Sequence, residues 1–539
     1  MSTRTLHDLG LAALAALTLT AGCGGDDGGA SVDAARPQDS GPQPDGDPDA
    51  EGPDAMPGPT PTALVGYVGG GGNDTTRDVF VDAAGFVYAT GGTASSDFAT
   101  TTGAYDRTFG GAMDVWVRKW APDGTLVFST FVGGPGYDRA YAIEVAPTGE
   151  IYVAGRAGDG FPTTAGSFDS TFGGDVNVNP AYGTQDGFIT KLSADGAAVA
   201  WSTFVGWNGR EFIRDLALTP SGDVIAGVGE AWANTPCPFI TSGAAQPGHG
   251  GGTRDVVIAA VAADGTTVRW ATYLGGSAEE GGEVTVRTDA QGRVYVVTGT
   301  NSTDAPVTAG AFDPTFNGDF DLWLGRLAAD GGSLDYGTYL GGSGGDGTET
   351  HQLSVEPGGV AVVTATTASS DMPVTAGVVQ PSYGGSGGGG TGDLTNYFGD
   401  GYVARLSADG STLLAATYLG GSVGEGLEGS GLDAGGNIWV SGGTFSPNFP
   451  TTAGARQRTK GAGLDAFVAR LSPDLRTLHY ATFVGASGWD VARSLAVRAD
   501  GAIAYAGGET DSADLATTSS ASQPNHGGQS DGLVVGIVP

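Results

Sequence analysis

From residue 63 to the end, short runs of alternating apolar and polar positions are separated by turns rich in Gly, Asp, Ser and Pro. Alternation over four to eight residues is the mark of a half-buried strand. Each unit contains four such runs. The first is typified by Val79-Phe80-Val81 and the second by Asn437-Ile438-Trp439-Val440, with a tight turn between them. A long polar loop leads to a third run such as Asp465-Ala466-Phe467-Val468-Ala469-Arg470-Leu471. A Ser-Ala-Asp-Gly turn (407–410) then leads into the fourth, a Tyr-Leu-Gly-Gly tract.

This fourth tract recurs seven times, beginning at Tyr67, Phe131, Phe204, Tyr273, Tyr339, Tyr418 and Phe483, with spacings of 64 to 79 residues. One four-stranded unit cannot cover both of its own faces, so seven in series predict an all-β, seven-bladed β-propeller of antiparallel blades. The last repeat stops at a third strand, 531–539, whereas a surplus strand stands at 63–69. The surplus strand is expected to complete the last blade and close the ring, removing an open edge. Strand parity puts the long insertions (172–185, 230–253 and 382–399) on one face, together with the blade-to-blade connections. Loops on a rigid scaffold carry function more often than the scaffold does, so that face is expected to be the working one.

Before the repeats, Arg4 and His7 precede an apolar run from Leu9 to Leu19 and then Thr20-Ala21-Gly22-Cys23. The run is too short to span a bilayer and reads as the core of a signal peptide, 1–22. Small residues before a cysteine resemble the lipobox of bacterial lipoproteins, which implies lipidation of Cys23 and anchoring in the outer membrane, periplasmic or surface-exposed. Thr20 stands where that motif usually has Leu. Residues 23–61 are Asp, Pro, Gly and Ala with almost nothing apolar to bury, and are expected to form a disordered linker to a propeller spanning 62–539.

Several features resemble the seven-bladed beta-propeller repeat (SBBP) family. They are Thr-Tyr-Leu-Gly-Gly-Ser at 272–277 and 338–343, Asp289-x-x-Gly292-x-Val294-Tyr295-Val296, Phe-Pro-Thr-Thr-Ala-Gly at 161–166 and 449–454, and the Asp465–Leu471 run. The resemblance implies a propeller at a cell surface and no particular reaction.

A net charge of −35 argues against nucleic acid as a partner and against a polybasic membrane patch, so membrane contact is expected through the lipid alone. With Cys23 lipidated, Cys237 has no disulfide partner. An acid follows each Gly tract: Asp74, Asp138, Glu211, Glu280, Asp346, Glu425 and Asp490, one per repeat. A second set opens each third strand: Asp114, Asp186, Asp255, Asp321, Asp400, Asp465 and Asp531. One reading is a carboxylate mouth for Ca²⁺, the only cofactor suggested. The other is a structural ring in which each acid accepts backbone N–H groups. Recurrence in every repeat favours the second.

Catalytic motifs are scarce. His249 and His526 occupy the slot of Phe109, Phe172 and Phe316, a packing position. His351, near Glu349, sits where two extra residues disturb the fifth repeat. Trp207, Trp232, Tyr397 and Phe398 are candidates for stacking on sugars or protein chains. The expectation is a monomeric, non-catalytic module binding an extracellular protein or glycan through the long-loop face. The alternative is a propeller lyase or hydrolase, with an asymmetric cluster of shifted pKa values near the channel.

Overall fold

The computed structural model describes residues 62–539 apart from 175, 177, 179, 181, 386–398 and 520. The signal segment, Cys23, the linker, Tyr397 and Phe398 lie outside the described residues. Seven antiparallel sheets form the blades of one ring, and no helix occurs among the described residues. The inner strands are Asp74–Val81, Arg139–Val145, Phe212–Leu218, Glu280–Thr288, Leu353–Val355 with the short Asp346–Gly347 before it, Glu425–Leu432 and Asp490–Val497. The blades are numbered 1 to 7 in that order.

The predicted closure is observed. Thr62–Val68 pairs antiparallel with Asp531–Ile537, Val65 opposite Val535 and Tyr67 opposite Leu533, and forms the outer strand of blade 7. Apolar cores fill the spaces between neighbouring blades. Val68, Ile503, Tyr505 and Val534 of blade 7, for example, pack with Val79, Trp116, Trp120 and Phe131 of blade 1. Because a blade buries both faces, its central strands are apolar nearly throughout, as in Val-Tyr-Val-Val of Val294–Thr300.

The hairpin turns also lock the ring. Gly410 adopts φ +72°, which glycine does without steric cost. A Cβ at Gly410 would drive into the ring of Tyr336 on the preceding blade. Gly265 lies in the same way under Trp201, whose indole N–H donates to the Ala263 carbonyl at 3.0 Å. Phe128 over Gly196 and Trp270 over Gly331 repeat the arrangement, so in blades 1 to 4 an outer-strand aromatic rests on the next blade's turn.

Candidate functional site

The two sets of acids meet at the blade junctions, on the long-loop face. In the first set, Asp74, Asp138, Glu211, Glu280, Asp346, Glu425 and Asp490 each accept a backbone N–H from four residues upstream, at 2.6–3.0 Å. In the second, Asp114, Asp186, Asp255, Asp321, Asp400, Asp465 and Asp531 each accept a backbone N–H from the loop before them, at 2.6–2.8 Å. All fourteen are buried. Each second-set acid faces the first-set acid of the next blade. At Gly275 an added Cβ would sit 2.5 Å from both Asp255 Oδ1 and Glu280 Oε2. The junction is therefore a pair of carboxyls against a glycine that has no room for a side chain. Burial, with the adjacent acid adding to it, pushes Asp138 up to about 7 and Glu211 up to about 9. Among the described residues no three His, Cys, Asp or Glu side chains gather as a metal site.

A second ring, one layer deeper, was not anticipated from the sequence. Three residues after each first-set acid stand Arg77, Tyr141, Arg214, Glu283, Glu349, Glu428 and Arg493. In blades 1, 2, 3, 6 and 7 the register slips at that residue, between 76 and 78, 140 and 142, 213 and 215, 427 and 429, and 492 and 494. A β-bulge re-aims one side chain, and here it turns it into the central channel. Glu349 accordingly feels Glu283, Arg493, Arg214 and Arg77 from four other blades.

This ring breaks the seven-fold symmetry. Three acids stand together on blades 4 to 6, and Arg493, Arg77 and Arg214 flank Tyr141 on the other side. Arg214 pairs with Glu283 at 2.7 Å, Arg493 with Glu428 at 3.0 Å, and Arg77 with Glu509 at 3.3 Å. Two further arginines form no ion pair among the described residues: Arg139, which reaches the Tyr137 hydroxyl at 3.4 Å and feels Glu509 only at longer range, and Arg156. They are opposite one another in the ladder of blade 2. Arg156, only 4% exposed, has its guanidinium carbon 4.1 Å from the Tyr182 ring centroid, 4.8 Å from Phe212 and 5.0 Å from Tyr137. Tyr182 comes from the long loop 172–185. Tyr141 is 3% exposed, and the guanidinium carbons of Arg214, Arg139, Arg156 and Arg77 lie 4.7, 4.8, 5.7 and 5.9 Å from its ring centroid. Burial pushes the phenol pKa up, but these guanidinium groups outweigh it and bring the value down to about 8.

His351 lies below this ring with a different partner from the one its sequence position suggests. The inner strand of blade 5 is interrupted between Gly347 and Leu353, and His351 sits in the gap at φ +65°. It crosses the channel: Nε2 is 3.0 Å from the Tyr141 carbonyl and 3.8 Å from Asp78 Oδ1, and Nδ1 is 3.5 Å from Asp215 Oδ1. Burial opposes its charge, yet Asp78 and Asp215 raise its pKa above the ordinary value. The pairing is thus with acids of blades 1 and 3, and Glu349 belongs to the arginine layer. Beneath lies a cavity of about 190 Å³ lined by Asp78, Ile143, Glu144, Arg287, His351 and Ser430.

The remaining candidates are packing residues. His249 stands edge-on to Tyr273 and His526 to Tyr67, as Phe109 does to Phe131. Trp207 is buried, with its indole N–H on the Thr235 carbonyl at 2.6 Å, and so is not available for stacking. Trp232 lies partly buried beneath Arg210 and Arg254. The Cys237 thiol is buried and its pKa pushed up to about 12, so it remains protonated and unreactive.

No family model and no curated protein matches the chain. Solved structures that it resembles in shape include the WD40 repeats of RRP9, with 9% identity over 90% of this chain and 100% of that one and a TM-score of 0.40. A Dyadobacter fermentans protein of unknown function is 10% identical over 89% and 99%, at 0.41. An ulvan lyase is 9% identical over 83% and 93%, at 0.44.

Proposed function

We propose that the chain is a lipid-anchored surface propeller of the SBBP type, held through Cys23, whose long-loop channel mouth binds anionic groups of an extracellular glycan. One observation carries the ligand class. Arg139 and Arg156 are cross-strand neighbours, and like charges directly opposite one another destabilise a sheet. In a chain of net charge −35, two adjacent guanidinium groups that form no ion pair among the described residues, with Glu509 acting on Arg139 only at longer range and already engaged by Arg77 and Arg493, suit an anion. The partly exposed rings of Tyr137 and Tyr182 beside Arg156 suit the apolar face of a sugar. An acidic sugar satisfies both parts of the site.

The test is binding of the full chain to polyuronates and to neutral dextran. Saturable, salt-sensitive binding to the polyuronate, lost in the Arg139→Gln/Arg156→Gln double variant, is the expected result. Equal binding of dextran and polyuronate would sink the reading. For the anchor, Cys23→Ala should move the chain from the membrane fraction to the soluble one.

A further inference from the structure

We propose that Tyr141 is the base of an elimination reaction on a 4-linked uronic-acid polymer held at this mouth, a step that rests on the anionic-glycan reading above. The position three residues after each first-set acid carries a charged residue in six blades and a phenol in blade 2 alone. Seven-fold scaffolding does not require that exception. The phenol stands where four guanidinium groups converge, within 4.7–5.9 Å of its ring centroid. No described residue hydrogen-bonds to its hydroxyl, so the oxygen is not committed to the scaffold.

The surrounding charges fit the chemistry. The proton on C5 of a uronate is α to the carboxylate and is only weakly acidic while that carboxylate keeps its full negative charge. Arg139 and Arg156, which form no ion pair among the described residues, would pair with the carboxylate and stabilise the enediolate that forms when the proton leaves. The Tyr141 phenolate takes the C5 proton. The C5–H electron pair becomes the C4=C5 double bond, and the C4–O4 bond breaks with its electrons on the leaving oxygen. That oxygen takes the proton from the Tyr141 phenol, which restores the phenolate. Atoms and charge balance without a further reactant.

Two observations support this assignment over hydrolysis. The arginine field brings the phenol pKa to about 8, near the pH at which a base works best. Hydrolysis by paired carboxyls would need free acids, but Glu283, Glu428 and Glu509 are tied to Arg214, Arg493 and Arg77.

The experiment incubates the full chain with polygalacturonate, alginate and a 4-linked polyglucuronate. Ultraviolet absorbance of the conjugated C4=C5 product and binding are measured on the same samples. Absorbance should rise with at least one polymer, with a rate that climbs through a single ionisation near pH 8. Tyr141→Phe should lower the rate by about a hundred-fold or more while keeping binding and melting temperature. Arg139→Gln should raise KM. Binding without absorbance, or a Tyr141→Phe variant that still cleaves, overturns the elimination and leaves the binding reading standing. Absence of binding to all three polymers overturns both.

Discussion

Replacing Glu211 by glutamine should stabilise the propeller at alkaline pH and leave it nearly unchanged at acid pH. Glu211 is fully buried, and its Oε2 accepts the Trp207 N–H at 3.0 Å. Burial first, and Asp186 opposite, lift its pKa from 4.5 to about 9. A carboxyl whose folded pKa is raised contributes stability that is fully present below the unfolded value and is lost as pH rises through the folded one. The window therefore runs from about pH 4.5 to 9. At pH 8 the unfolded chain gains from ionisation over roughly 3.5 units, and at about 1.36 kcal/mol per unit that is a ceiling of ~5 kcal/mol. Water entry and local relaxation reduce such penalties, so an effect of about 1–3 kcal/mol is expected. Glutamine keeps the acceptor for Trp207 and has nothing to ionise. Thermal melts of wild type and Glu211→Gln at pH 5, 6.5, 8 and 9 test this. Other junction acids titrate in both proteins, so the difference between the curves isolates Glu211. The variant should gain a few degrees between pH 5 and 9; parallel curves would refute the reasoning.

His351→Asn keeps a residue that tolerates positive φ but removes the imidazolium between Asp78 and Asp215, and should destabilise by about 2–4 kcal/mol in a denaturant titration. Because the folded His351 pKa is raised, its contribution is full below about 6.5 and lost as pH rises through the folded value, so the loss should shrink at high pH. Gly410→Ala should lower the melting temperature through a cost of about 1–3 kcal/mol, since the added methyl meets Tyr336 and φ is +72°. The affinity lost in Arg139→Gln should be about 1.5–3 kcal/mol by calorimetry and should fall as salt is added.

The ring architecture was legible because period-two patterning and the recurring Gly tract are local, and the mismatch between 63–69 and the unfinished last repeat left one way to close. The carboxylates were equally visible, and their backbone partners lie four residues away or in the adjoining loop. The arginine layer was not legible as a unit. Arg77, Tyr141 and Arg214 come from three blades, and each reaches the channel only because a bulge inserts one residue into the ladder. Sequence alternation assigns a face to a residue but does not show where the ladder slips. Aligning the repeats on the first-set acids would have exposed the exception, since one aromatic then stands among six charged residues. The disturbed spacing of the fifth repeat marks His351, but nearness along the chain points to Glu349. The fold supplied Asp78 and Asp215 from blades more than a hundred residues away.

The closing strand has a consequence for biosynthesis. Val65 finds its partner, Val535, only after the intervening chain has been made, a separation of 535 − 65 = 470 residues. At roughly 5–20 residues per second, that is a wait of about 25–90 s. Throughout it, Thr62–Val68 remains an unpaired strand and blade 7 does not exist. Six blades can assemble while the chain emerges, but the gap between the first and the sixth stays open until Asp531–Ile537 arrives. Closure of the ring then waits on the synthesis of Asp531–Ile537, and the interval before it is when a second chain can take the place of the seventh blade.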